Sequence, residues 1–197
     1  MIRLVVLAVL LATPAVAQRV TDPDWPCIQR RQPQLSIAQV WTGPIPDKTI
    51  EDRAKTPDVR DLARVIALRR TDLAEAEAMI DSFASGHDAA DLTALFLASF
   101  TDIQKARDRV MSGITRYAHA QEALDTQINE MRQSFTALTA AEPQDFDAID
   151  KLETDLDWAT RVFKDRQQSL TYVCETPVIL EQRAFALGRF IQGRLPN

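Results

Sequence analysis

The residues able to do covalent or metal chemistry are few in this chain of 197 residues. They comprise two cysteines, Cys27 and Cys174, and two histidines, His87 and His119. A protein-bound zinc or copper ion needs three or four ligands. No third ligand stands at metal-binding spacing from either histidine, so we expect no metal site and no cofactor.

Catalytic motifs are also missing from the sequence. The G-x-S-x-G motif of serine hydrolases and the glycine-rich nucleotide-binding loops do not occur. Carboxylate pairs such as Asp145 with Asp147 and Asp155 with Asp157 are spaced two residues apart, which turns their members to different faces of a helix. We therefore expect no catalytic residues and no enzymatic activity.

The charge of the chain argues against a nucleic-acid partner. The sequence has 23 Lys and Arg residues against 28 Asp and Glu residues, which gives a net charge of -5. A surface that binds a polyanion is normally basic, often with interleaved aromatic residues, and no such stretch is present. We expect the partners to be proteins.

Residues 1–17 have the pattern of a secretory signal peptide. The positively charged Arg3 precedes an apolar run from Leu4 to Ala12, and Ala15-Val16-Ala17 supplies a cleavage site before Gln18. The run is too short to span a bilayer, and no later stretch approaches the roughly 20 apolar residues of a membrane helix. We expect cleavage near Ala17–Gln18 and a periplasmic or secreted protein without a transmembrane segment.

Both cysteines follow the predicted signal peptide. Two cysteines in an exported chain most often form one disulfide, so we expect a Cys27–Cys174 bond. Two free thiols are the alternative. A redox-active dithiol is disfavoured because the C-x-x-C spacing is absent.

The segment at residues 18–57 is rich in proline, with five prolines between Asp22 and Pro46. Since proline cannot donate a backbone hydrogen bond, we expect a mostly irregular segment with at most one short helical turn. The segment also contains Trp25 and Trp41, which is too apolar for a free linker. We expect it to pack on the rest of the protein, linked through Cys27.

Residues 58–197 have the periodicity of a helical coiled-coil domain. Apolar residues recur at alternating steps of three and four, and this spacing makes helices wrap around one another in a left-handed supercoil. The predicted fold is all-α, an antiparallel three-helix coiled-coil bundle. The predicted helices cover about 58–85, 89–141 and 145–193.

The same register predicts that the three helices differ in how far they extend along the bundle. If the first folds back on the second at Gly86, Val59 lies opposite Tyr117, and the first helix extends no further. The other two continue together to Leu138 and Ile149. We therefore expect a two-helix hairpin arm that projects from the bundle.

Two arginines, Arg69 and Arg107, occupy apolar positions of the register, in one predicted layer. Their guanidinium groups could hold a small anion or a partner's carboxylate between them. The alternative is a structural polar layer, in which the stems pack and the charged ends reach out to Asp72 and Glu181.

Two further sets of residues are singled out on the predicted arm. Gln121 and Arg166 share a layer, and a polar layer of this kind fixes the register of a coiled coil. Trp158, Val162 and Tyr172 lie on the outer flank, where an aromatic patch suits contact with a partner. The alternative is that the proline-rich segment covers this flank.

These expectations combine into an exported, non-enzymatic helical protein that acts by protein–protein interaction. We expect an adaptor or accessory subunit of a cell-envelope complex, whose partner is another envelope protein or a second copy in a homodimer. One alternative is a holdase-like periplasmic chaperone, because the outline resembles tentacled periplasmic chaperones at the level of the fold. Another is a small-anion binder that uses Arg69 and Arg107.

Overall fold

The structure is a computed structural model that describes residues 22–196, so the predicted signal peptide and its cleavage site lie outside the described residues. Within that range the chain is all-helical, with no strand, which confirms that the fold is all-α. The elements are α1 Ile37–Val40, α2 Lys48–Arg53, α3 Pro57–Ala67, α4 Leu73–Ala84, α5 Ala89–Thr139 and α6 Phe146–Gln192.

The first predicted long helix is divided into α3 and α4, a difference from the expectation of one helix over 58–85. The backbone leaves helical geometry at Leu68, whose φ and ψ are -69° and 132°. The side chain of Asp72 then accepts a hydrogen bond from the backbone N–H of Ala74 at 2.8 Å, which caps a new helix. The three–four spacing of apolar residues continues across this break, so the sequence pattern alone does not reveal it.

The two long helices, α5 and α6, end within a few residues of the predicted bounds. The side chain of Asp88 accepts a hydrogen bond from the N–H of Asp91 at 2.8 Å and caps the start of α5. Asp145 caps α6 in the same way through the N–H of Ala148, at 3.0 Å. The short link between the helices makes them neighbours over their length.

The main core lies where α3, α4 and the first part of α5 pack with the last part of α6. Ile66, Ile80 and Phe96 are among its fully buried side chains. α1 approaches α6 closely at Gly188, where a Cβ would lie 2.7 Å from the carbonyl oxygen of Val40. Only glycine fits this contact without a shift of one backbone.

A distal helix pair, residues 118–139 of α5 and 146–170 of α6, has a much thinner core. Ile128 and Ala159 are the two buried residues in this pair. Burial of the pair is thus confined to one stripe, in which partly buried residues recur at steps of three and four. They include Gln121, Leu124, Met131, Phe135 and Leu138 on α5, and Ile149, Leu152, Leu156, Phe163 and Leu170 on α6.

The proline-rich segment forms a strap, residues 22–46, that runs antiparallel to α5. The carbonyl of Asp24 accepts a hydrogen bond from Thr115 Oγ1 at 3.1 Å, near one end. Gln104 Oε1 accepts a hydrogen bond from the N–H of Leu35, also at 3.1 Å, further along. The strap contains α1 as its one helical turn, whereas α2, which follows it, is a helix that the sequence did not predict.

The two cysteines connect the strap to α6. Cys27 and Cys174 lie at disulfide-bonding distance, with Cα atoms 5.5 Å apart, which confirms the predicted pairing. Beside them Trp25, 8% exposed, packs against Met111 and Ile114 of α5. The strap is therefore held to both long helices at this level.

We expect the double variant Cys27→Ser/Cys174→Ser to lose about 3–5 kcal/mol of unfolding free energy. The bond closes a loop of 147 residues, and opening a loop of that length restores about that much chain entropy to the unfolded state. Urea unfolding followed by circular dichroism measures the loss. Wild-type protein treated with dithiothreitol should match the variant, and two free thiols in untreated protein would contradict the pairing.

The turn before α5 contains a histidine with a shifted pKa. The carbonyl of Phe83 lies 2.8 Å from His87 Nδ1 and raises the pKa of the imidazole, helped by the carboxylate of Asp58 at 3.2 Å from Nε2. Partial burial opposes the shift. The ring also stacks on Phe83, with centroids 3.7 Å apart.

We expect this pKa shift to make the stability depend on pH. A raised pKa stabilises the folded state fully below the unfolded value of 6.5, and the contribution is lost as pH rises through the folded pKa. Wild type should therefore lose more unfolding free energy than His87→Gln between about pH 5.5 and about pH 8. Equal losses in parallel urea titrations would contradict the shift.

Candidate interaction surface

The flank singled out on α6 is open to solvent. Trp158 is 66% exposed and Tyr172 is 76% exposed, and the partly buried Val162 lies between them. These residues follow steps of four, three, four and three through Asp165 and Ser169, so they share one side of the helix. At about 1.5 Å per residue, the two aromatic rings are separated by about 21 Å along the helix axis.

The strap does not cover this flank within the described residues. Its two tryptophans, which could have done so, pack on α5 instead. Trp25 contacts Met111, and Trp41 stacks on Phe96 with ring centroids 4.2 Å apart and planes at 11°. Trp158 is therefore left without the cover that the alternative interpretation required.

Charged side chains accompany the aromatic residues on the same surface. A shallow cleft of about 330 Å³ beside the flank is lined by both signs of charge, among them Asp157, Arg161, Lys164 and Asp165. Within residues 22–196, none of these four makes an ion pair. Their hydrogen-bonding groups are thus available to a partner, and the mixture of signs favours a polar, specific contact.

The predicted polar pair of the distal helices is arranged asymmetrically. Gln121 lies in the seam, where its Nε2 donates to the carbonyl of Phe163 at 3.3 Å, while Arg166 is exposed at the edge. Burial raises the pKa of the nearby Tyr117 hydroxyl, and the charge of Arg166 partly opposes that shift. Only Gln121 is therefore in a position to act inside the helix–helix contact.

Arg107 is an interior residue, 2% exposed. Its Nη2 donates to the carbonyl of Gln32 at 3.1 Å, its Nε donates to the carbonyl of Pro177 at 3.4 Å, and Glu181 Oε2 lies 3.7 Å away. Burial lowers the pKa of Arg107, and the charge of Glu181 opposes the shift. These contacts correspond to the structural alternative for this residue.

Arg69 does not share that interior layer, which corrects its predicted placement. It lies in the link between α3 and α4, is exposed, and donates to Thr176 Oγ1 at 3.0 Å. The two guanidinium groups thus contact adjacent residues of α6: Arg69 contacts Thr176 from the surface, and Arg107 contacts Pro177 from the interior. The reason is the break after α3, which removes Arg69 from the helical register.

Sequence reasoning missed a second interior arginine, Arg183, which is 6% exposed. Its Nε donates at 2.7 Å to the carbonyl of Ile66 near the end of α3, and burial lowers its pKa. It satisfies a carbonyl that the helix end leaves without a partner. The residue lies beside, not on, the apolar stripe of α6, so periodicity gave no signal for it.

In the part of the chain that the structure describes, no group of three or more histidine, cysteine or acidic residues is placed to hold a metal ion. None of the helices there has the length and apolar character to cross a membrane. Comparisons with protein-family models, curated proteins and solved structures found no match.

We expect Arg107→Ala to lower the unfolding free energy by about 2–4 kcal/mol, because it leaves a cavity and removes two buried hydrogen bonds. Arg69→Ala should cost less than about 1 kcal/mol, since its hydrogen bond is exposed. Thermal and urea unfolding of the two variants measure the difference. A phosphate-dependent rise in wild-type melting temperature that both variants abolish would contradict a purely structural role.

Proposed function

We propose that this protein is exported and acts by protein–protein contact, as an adaptor or accessory subunit of a cell-envelope complex. The observation that carries the proposal is the exposed flank of Trp158 and Tyr172 on the distal helix pair. Large aromatic side chains surrounded by polar groups are the usual anchors of protein interfaces. Export is supported by the signal-like residues 1–17 and by a cysteine pair suited to an oxidising compartment.

We further propose that the distal helix pair is a coiled-coil arm that projects from a three-helix body. Burial along the pair has the three–four spacing of a coiled-coil seam. Within residues 22–196, the strap reaches His119, whose Nε2 lies 2.8 Å from Asp24 Oδ1, and shares a cleft with α5 as far as Glu122. Such an arm presents its outer side to a partner along its whole length.

The proposed contact uses the flank as a linear surface along α6. Two aromatic anchors separated by about four helical turns match a partner helix or groove that lies along the arm. Each aromatic side chain can bury about 150–250 Å², and the unpaired Arg161 and Asp165 between them would select the partner by charge. The role requires no catalytic group.

We expect Trp158→Ala/Tyr172→Ala to lose its partner while the fold stays intact. Because both rings are largely exposed, unfolding free energy should change by less than about 0.5 kcal/mol. Capture of crosslinked partners from native envelope fractions, read by mass spectrometry, should fall by about tenfold or more. Phe146→Ala, which removes a 69% exposed aromatic residue from the same helix away from the flank, is the matched control.

Two outcomes would contradict the proposed surface. Unchanged capture by the double variant would show that the flank makes no essential contact. A stability loss above about 2 kcal/mol would show that the rings support the fold. Light scattering adds the identity of the partner: a wild-type dimer that becomes monomeric in the double variant identifies a second copy of this chain.

A further inference from the structure

A cavity of about 720 Å³ opens between the strap, α2, α3 and α5. Its walls are mainly apolar and include Trp41 from the strap, Ala54 after α2, and Leu97 and Ala98 from α5. The volume falls within the range of about 300–1,000 Å³ that is typical of small-molecule sites. It lies at the opposite end of α5 from the distal helix pair, so it is independent of the proposed interaction surface.

The cavity is preformed because its largest wall residue cannot turn to fill it. The Trp41 ring stacks on Phe96, and its Nε1 donates to the carbonyl of Pro44 at 2.8 Å. The strap crosses the edge of the ring at Gly43, where a Cβ would lie 2.5 Å from the indole. Small residues in the lining, among them Ala38, Ala54 and Ala98, leave the space open.

Two cations in the wall, Lys55 and Arg60, have hydrogen-bonding capacity left over, and that of Arg60 is the larger. Lys55 already donates to Asp52 at 2.8 Å, and Glu51 accepts from Lys48 at 3.3 Å. The guanidinium group of Arg60, in contrast, makes no hydrogen bond within the described residues. Its one ion pair is with Asp102, at 3.7 Å.

We propose that this cavity binds a small amphipathic carboxylate. The aliphatic body would lie against Trp41 and Leu97, and the carboxylate would accept two parallel hydrogen bonds from Arg60, the geometry that a guanidinium group favours. The apolar side chain of Ile45, 91% exposed at the rim, would be covered by the bound chain. A neutral amide has one acceptor oxygen and no charge, so it would lose the paired, charge-assisted hydrogen bonds to Arg60.

Decanoate, below its micellar concentration, is the probe that tests the proposal. Isothermal titration calorimetry of the full mature chain should give one saturable site, with decanamide binding at least about tenfold more weakly, because it lacks the charge. Arg60→Gln should weaken decanoate binding by about tenfold or more and weaken decanamide binding by much less, since only decanoate loses a charge-assisted pair. Arg64→Gln, one turn further along α3 with a 64% exposed side chain, is the matched control.

A second variant tests the cavity separately from the charge. Ala38 lines the cavity from the exposed side of α1, so Ala38→Phe fills the space without entering the core. It should abolish decanoate binding while the far-ultraviolet circular dichroism and melting temperature stay those of wild type. Absence of saturable binding to wild type, or binding that persists in both Ala38→Phe and Arg60→Gln, would overturn the proposal. Equal affinity for decanoate and decanamide would also overturn it.

Discussion

The buried guanidinium group of Arg107 is the constraint on which the arrangement of the strap and the long helices depends. It extends from α5 and donates to a carbonyl of the strap, on Gln32, and to a carbonyl of α6, on Pro177. A buried cation is costly unless its donors are paired. Arg107 Nη1 has no partner among the described residues, so displacing either segment would leave a second donor unpaired and destabilise the fold further. The Cys27–Cys174 pair holds the same two segments together.

This constraint divides the molecule into a supported part and an unsupported part. In the supported part the long helices are covered by the strap, α3 and α4, and two buried clusters both pack against Val110. The cleft that the strap shares with α5 extends to Glu122, and further along the distal helix pair Ile128 and Ala159 are the buried residues. A helix pair with so thin a core has most of its surface free for contacts, which is why the aromatic flank of α6 stays exposed.

The sequence predicted those features that repeat along a helix and missed those that depend on contacts between segments. The three–four spacing led to α5, α6 and their buried stripe, and the predicted signal peptide led to the expected cysteine pair. The same spacing wrongly placed Arg69 in a helix. The helix ends before Arg69 and a new one begins after the cap residue Asp72, but the apolar pattern continues across the interruption. The cavity beside Trp41 could not be predicted for another reason, since its walls come from segments as distant in sequence as Ser36 and Thr101, and no local pattern marks them.

The two ends of the strap are anchored by different contacts, and this separates the redox state of the protein from the cavity. The disulfide and Trp25 hold the first end. The second end is held by the stacking of Trp41 on Phe96 and by the close approach of Val40 to Gly188, neither of which involves a thiol. Reduction would therefore release residues near Cys27 first and leave the cavity walls in place. Ligand binding in the cavity would in turn stabilise the second end, since a ligand that binds only the folded state favours that state by mass action.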